Sequence, residues 1–166
     1  MLCTSPHKYG EKEINMIGMN YRLADLEKSG RVIKVGLIGA GQMGLALTSQ
    51  LTAAPGMMPA VLSDHTLDKA RHAFVRAGKK ENVDFFAADT VDEAEKIISA
   101  GKSVITTNND LAIKTPSIDI VADATGVPSA GAEIACAAIE NGKHIIMLDV
   151  ETDVCIGPTL YEMANK

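Results

Sequence analysis

Aromatic side chains are nearly missing from this sequence. It has no tryptophan, and its three tyrosines and three phenylalanines make up 4% of 166 residues. The core must therefore be built from Ile, Val, Leu, Ala and Met. Such a core suits a parallel sheet buried between helices better than a β-sandwich. Cysteine is equally sparse: Cys3, Cys136 and Cys155 form no CxxC pair and no Cys/His cluster. That spacing excludes a disulfide framework and reads as reduced thiols in a cytoplasmic protein. Basic charge is in deficit, with a formal net charge of −5 and no cluster of Lys or Arg, which argues against a nucleic-acid partner. No apolar run approaches the roughly 20 residues that cross a bilayer, so no membrane partner is expected. The opening MLCTSPHKYGEKEINMIG also lacks the apolar stretch of a secretory signal.

What is present fits one soluble domain of ordinary composition, 46% hydrophobic and 22% charged. Residues 1–18 are polar and without sustained period, which predicts a flexible N-terminal arm, with Met16 and Met19 as alternative starts. Residues 19–166 show no repeat and no linker, and read as one domain. MNYRLADLEKSG predicts a helix with Leu23 and Leu26 on one face and a stop at Gly30. VIKVGLIGAG is a near-continuous apolar run, as expected of a strand covered on both faces. A helix follows, with Met43, Leu47 and Leu51 as its apolar face and Pro55-Gly56 as its end. PAVLSD, VDFFAA, SVITT, IDIVADATG and HIIMLDV predict further strands. Between them lie a helix capped by Thr66, one opened by the capping-box spacing Thr90 to Glu93, a short one near Asp110–Lys114, and an Ala-rich one closed by Asn141-Gly142. Strand and helix alternate, so the expected fold class is α/β: a doubly wound, mostly parallel sheet with helices on both faces.

The segment GLIGAGQMG carries the functional signal. Gly39-Ala40-Gly41-Gln42-Met43-Gly44 matches G-x-G-x-x-G, follows a predicted strand and opens a predicted helix. In that context the first glycine permits the turn and the second admits a pyrophosphate to the backbone. The third lets helix and strand pack closely, so a Rossmann-type NAD(P)-binding fold follows. An acidic residue is expected to end the second strand roughly 20 residues on, where it accepts ribose hydroxyls. Asp64 occupies that place. Its carboxylate favours NAD over NADP, although His65, Thr66 and Arg71 lie close enough in sequence to help hold a 2′-phosphate. The loop Ala124-Thr125-Gly126 should lie at the carboxyl edge of the sheet, on the nicotinamide side.

NYRLADLEKSGRVIKVGLIGAGQMG and DIVADATGVPSAGAEIACAAIENGKHIIMLDVETDVCIGPTL resemble the homoserine dehydrogenase-like oxidoreductases that carry a C-terminal SAF domain, a group that includes the deoxyxylulose phosphate reductoisomerase-like enzymes. The segment with Glu151, Asp153 and Gly157-Pro158 is its most specific part. The resemblance implies a nicotinamide-dependent oxidoreductase acting by hydride transfer on a small polar substrate. Gly39, Gly41, Gly44, Asp64, Thr125 and Gly126 match its cofactor positions, and Thr125 and Glu151 would flank the nicotinamide. In the family a substrate-binding, dimerising region and the SAF domain follow, so a homodimer belongs to the whole enzyme. This chain ends before them, which leads to the expectation that it binds cofactor but is inactive alone.

Asp149, Glu151 and Asp153 alternate, and in an extended segment they would share one face as weak candidates for a divalent metal. His7, His65, His72 and His144 have no metal-binding spacing, Cys136 reads as core, and Cys155 lies nearer the expected site. No residue stands out as a general acid or base. Two other readings remain open: a non-catalytic NAD(P)-binding or redox-sensing module, and an S-adenosylmethionine-binding domain, against which the third glycine argues.

Overall fold

The computed structural model describes residues 18–165. Cys3, His7, Met16 and all but the last residue of the expected arm lie outside the described residues. Thirteen elements follow in chain order: α1 Met19–Lys28, β1 Ile33–Ile38, α2 Gln42–Ala53, β2 Met57–Ser63, α3 Leu67–Arg76, β3 Phe85–Ala87, α4 Val91–Ser99, β4 Ser103–Thr106, α5 Asn109–Lys114, β5 Ile120–Asp123, α6 Pro128–Glu140, β6 His144–Met147 and α7 Val150–Ala164. The six strands form one sheet in the order β3-β4-β2-β1-β5-β6. Every pairing is parallel. This is the α/β Rossmann-like architecture.

Strand periodicity explains how so apolar a sheet sorts its side chains. Successive residues point to opposite faces. Ile38, Val61, Val104 and Val121 join Ala94, Ile98, Leu111 and Ile134 in the core beneath α4, α5 and α6. Their neighbours Leu37, Leu62, Ile105 and Ala122 join Leu51, Ala70, Ala73 and Phe74 beneath α2 and α3. Phe74 of α3 stacks on Phe85 of β3 with ring centroids 5.1 Å apart, so two of the few aromatic rings fasten the outer strand. With both faces covered, the sequence must read as continuous apolar runs, and it does.

Most helix ends follow the expected chemistry, although Thr66, the N-cap of α3, makes no side-chain cap bond. Gly30, Gly78 and Gly142 stand just past α1, α3 and α6 with φ of 77°, 82° and 66°, the left-handed stop that glycine adopts freely. At α4, Thr90 Oγ1 accepts the Glu93 N–H, but the Glu93 carboxylate accepts from Asp89 N rather than from Thr90. The apolar face of α2 differs from expectation. Gly44, Thr48 and Leu51 are its buried residues, while Met43 is 59% exposed. The line Gly44, Thr48 and Leu51 faces the sheet, with Leu47 half-buried beside it, so the expected leucines pack inward and only the methionine does not.

The larger departure follows β6. The segment expected to be extended is helix α7, and Asp149 is its N-cap, accepting from Thr152 N at 3.3 Å and Thr152 Oγ1 at 2.8 Å. A good N-cap followed by two acidic residues in the first turn starts a helix, and this local chemistry outweighs the alternation of charge. Pro158 sits inside α7, which continues to Ala164 regardless.

Candidate functional site: a cleft at the carboxyl edge of the sheet

The chain leaves β1 for β2 on one side and returns through β5 on the other, so the strand order reverses at β1. In open parallel sheets the crevice beyond the carboxyl ends of strands at such a reversal takes the ligand. A cleft of about 310 Å³ lies there. It is lined by Gly39 and Gly41 after β1, Asp64, His65 and Lys69 after β2, Asn109 after β4, and Ala124, Thr125 and Val127 after β5.

The three motif glycines have different physical reasons. Gly39 has φ of 102°, and a Cβ there would lie 2.6 Å from Ala124 O, so only glycine passes between the turn and the β5 loop. At Gly44 a Cβ would lie 1.8 Å from Gly39 O, so this glycine lets α2 pack against its own turn. Gly41 has an ordinary φ of −70°, and a Cβ there would meet nothing within 4 Å. The protein itself does not need glycine at this position. Gly41 lines the cleft at the N-terminus of α2, where no side chain caps the leading N–H groups. Unpaired N–H groups and the positive end of the helix dipole together make an anion site. The space and the donors fit a pyrophosphate.

Asp64 holds the turn in place. It is 6% exposed, and its Oδ2 accepts the Ala40 N–H at 2.8 Å. Its Oδ1 accepts the Thr66 N–H at 2.9 Å and lies 3.1 Å from His65 Nδ1. Gly39 N donates to Ser63 O at 2.7 Å, which ties the same turn to β2. On the opposite wall, Ala124 N donates to Ile38 O at 2.7 Å. Asp123, fully buried, accepts at Oδ1 from Thr125 N at 3.0 Å and Thr125 Oγ1 at 2.7 Å, and so fixes the Thr125 loop. Asp123 Oδ2 is buried without a hydrogen-bond partner among the described residues. It lies 2.8 Å from where a Gly131 Cβ would be, and Asp149 Oδ2 lies 3.3 Å from the same point.

The structure thus brings Gly39, Gly41, Asp64 and Thr125 to one cleft. Ala40, Gln42, Met43 and Gly44 belong to the turn and first turn of α2 behind it, and Gly126 has φ of 65° in the β5 loop. Glu151 is not part of the cleft lining, nor is Asp153; both are exposed in the first turn of α7. Asp149 caps α7 with its side chain turned to Thr152, and no group of three His, Cys, Asp or Glu could hold a metal ion among the described residues. Arg71 is committed elsewhere: its Nε meets Glu81 Oε1 at 2.8 Å and its Nη1 pairs with Asp68. Cys136 is half-buried and Cys155 is exposed on α7. Sequence reasoning passed over Lys69 and Asn109. Ser63 Oγ donates to Asn109 Oδ1 at 2.7 Å, which leaves the Asn109 amide N–H groups as donors in the cleft wall. The rule that ligands lie beyond strand ends, applied to β4, would have found Asn109. No helix among the described residues is long and apolar enough to cross a membrane.

Solved structures similar to this fold include dehydrogenases and reductases. Levoglucosan dehydrogenase, in complex with NADH and L-sorbose, is 25% identical over 82% of this chain and 32% of its own, with a TM-score of 0.54. A homoserine dehydrogenase from Thiobacillus denitrificans is 23% identical over 81% of this chain and 27% of its own, with a TM-score of 0.56. A 3-ketoreductase mutant from Actinomadura kijaniata, in complex with TDP-benzene and NADP, is 18% identical over 81% of this chain and 36% of its own, with a TM-score of 0.57. This chain therefore spans about a third of the length of these enzymes. No protein-family model matches it, and no curated protein sequence is similar to it. What the fold and these neighbours define is the α/β Rossmann-like class.

Proposed function

We propose that this chain is the nucleotide-binding domain of a nicotinamide-dependent oxidoreductase of the homoserine dehydrogenase-like group, acting by hydride transfer on a small polar substrate. The observation that carries this reading is Gly41. It is the motif glycine that neither backbone conformation nor packing requires, and it stands at an uncapped helix N-terminus facing the cleft. Gly39, Gly41 and the leading N–H groups of Gln42, Met43 and Gly44 would hold the pyrophosphate, with Asp64 as the brace behind them. Thr125 and Gly126 would border the nicotinamide, which when bound supplies the hydride acceptor or donor. Orientation and the exclusion of water also need a second wall, and each is worth several kcal/mol of barrier. The residues that line the cleft after β1, β2, β4 and β5 are assigned to the cofactor and none to a substrate, so the expectation is that this chain by itself binds cofactor without turnover.

The test is titration of the chain with NADH, NADPH and S-adenosylmethionine, followed by a steady-state absorbance assay with homoserine or deoxyxylulose phosphate. Binding of a nicotinamide cofactor without turnover is expected. Preferential binding of S-adenosylmethionine would replace the oxidoreductase reading with a methyltransferase-like one, and robust turnover would show that the domain needs no second wall.

A further inference from the structure

We infer that this chain pairs with a second copy of itself at the β6 end of the sheet, the outward face of α7 of each copy lying in an apolar groove of the other. A parallel sheet normally has helices over both of its faces. On one face α6 covers β5 and β6, and Ile145 packs into that core. On the other face α2 and α3 cover β1, β2 and β4, while the floor over β5 and β6 stays open. A groove of about 340 Å³ remains there, walled by Leu47 and Leu51 of α2, floored by Ile120, Ala122 and Ile146, and closed by Leu148. Ile146 is 50% exposed in it. No charged residue lines the groove, so an ionic ligand finds no partner there. Its occupant must be apolar.

A matching surface stands on α7. Thr152 and Leu160 are the buried residues of this helix, which packs on α6. Val150, Val154 and Tyr161 lie away from that contact and are 66%, 75% and 73% exposed. Their spacings of four and seven residues put them on one line along the helix, with Gly157 between Val154 and Tyr161. The outward face of a surface helix is normally polar. This helix is apolar on two faces, and α6 takes only one of them. The helix carries Glu151, Asp153 and Glu162 and no basic residue, which disfavours an anionic lipid surface as the occupant. Its own groove lies across the sheet from α6, on the face that α7 does not reach. A two-fold axis along the β6 edge exchanges the two faces of the sheet, so the stripe of each copy comes over the open floor of the other. The exposed parts of Ile146, Val150, Val154 and Tyr161 come to roughly 500 Å² per copy, so two copies bring roughly 1,000 Å² of apolar surface before the groove walls are counted, the scale at which a specific interface begins.

The experiment is sedimentation velocity of the full chain, with Val154→Glu as the stripe variant and Ile146→Lys as the groove variant. The parent should be a dimer at about 100 μM, as expected of an interface at the small end of the range. Each variant alone should dimerise at least about 100-fold more weakly, because it leaves an unpaired charge in an apolar seat. Both positions are half or more exposed, so thermal melts of the variants should match the parent. An equimolar mixture of the two variants should recover a dimer. In that pair one seat keeps the parental stripe and groove, and in the other the introduced carboxylate meets the introduced ammonium. A parent that is monomeric at that concentration, a dimer that survives either variant, or a mixture that stays monomeric overturns the inference. The groove shares no lining residue with the nucleotide cleft, so each of these outcomes leaves the dinucleotide reading untouched.

Discussion

Replacing the three motif glycines one at a time separates ligand chemistry from folding. At Gly41 the backbone has φ of −70° and ψ of −162°, which any residue adopts, and an added Cβ touches nothing within 4 Å. Gly41→Val forfeits some quality as an N-cap, worth about 0.5–1 kcal/mol, and recovers about 0.4–1 kcal/mol by restricting the unfolded chain. The terms nearly cancel, so Tm should stay within about 3 °C of the parent for a domain of this size. Binding should collapse, because the branched side chain fills the space through which a pyrophosphate reaches the N-terminus of α2. A loss of about 100-fold or more, equivalent to about 2.7 kcal/mol, is expected in NADPH and NADH affinity alike. Gly44→Ala should show the reverse priority. Its Cβ would stand 1.8 Å from Gly39 O, so α2 must move off its turn. Overpacking of this kind costs about 1–3 kcal/mol and lowers Tm by roughly 3–10 °C. Thermal melts and calorimetric titration of the two variants provide the comparison. A Gly41→Val protein that binds either cofactor with parental affinity would refute the phosphate-cradle argument, and a Gly44→Ala protein as stable as the parent would refute the packing argument.

Two further perturbations address the carboxylates. Asp64→Ala removes the acceptor of the Ala40 and Thr66 N–H groups; it should cost about 1–3 kcal/mol in a chemical denaturation curve and weaken both cofactors together. An unchanged denaturation midpoint would show that the brace is dispensable. The Asp149 carboxyl is held below the ordinary Asp range, first by the Thr152 hydroxyl bond and then, against the opposing effect of burial, by the Thr152 backbone N–H. A depressed folded-state pKa gives stability that is complete above the unfolded value of about 3.9 and is lost as pH falls through the folded value. Asp149→Asn should therefore flatten the acid limb of a stability profile below about pH 4 and leave its slope near neutrality unchanged. An acid limb identical to the parent's would show that Asp149 takes no part in it.

Periodicity and turn chemistry, both local properties, were legible in the sequence. Continuous apolar strands, glycine stops and the capping threonine at α4 each depend on neighbours a few residues away, so the alternation of strand and helix, the glycine motif and the role of Gly44 could be read directly. The fate of each carboxylate could not. Asp64 sits where a ribose reader belongs, yet it faces Ala40 N–H across the turn, a partner 24 residues away that only the β1–β2 pairing supplies. Arg71 was a phosphate candidate until the fold placed Glu81 beside it, and Lys69 and Asn109 came to the cleft because α3 and α5 begin at its rim. The Asp149, Glu151 and Asp153 alternation was read with a strand's period, but a capped helix starts there, with Asp149 buried as its cap and Glu151 and Asp153 exposed in its first turn. The sequence by itself determined the strands, the helices before α7 and the tight turn of the glycine motif, because these depend on short-range sterics. Tertiary structure alone decided which charges are free to meet a ligand, because hydrogen-bond partners for buried polar groups come from segments distant in sequence.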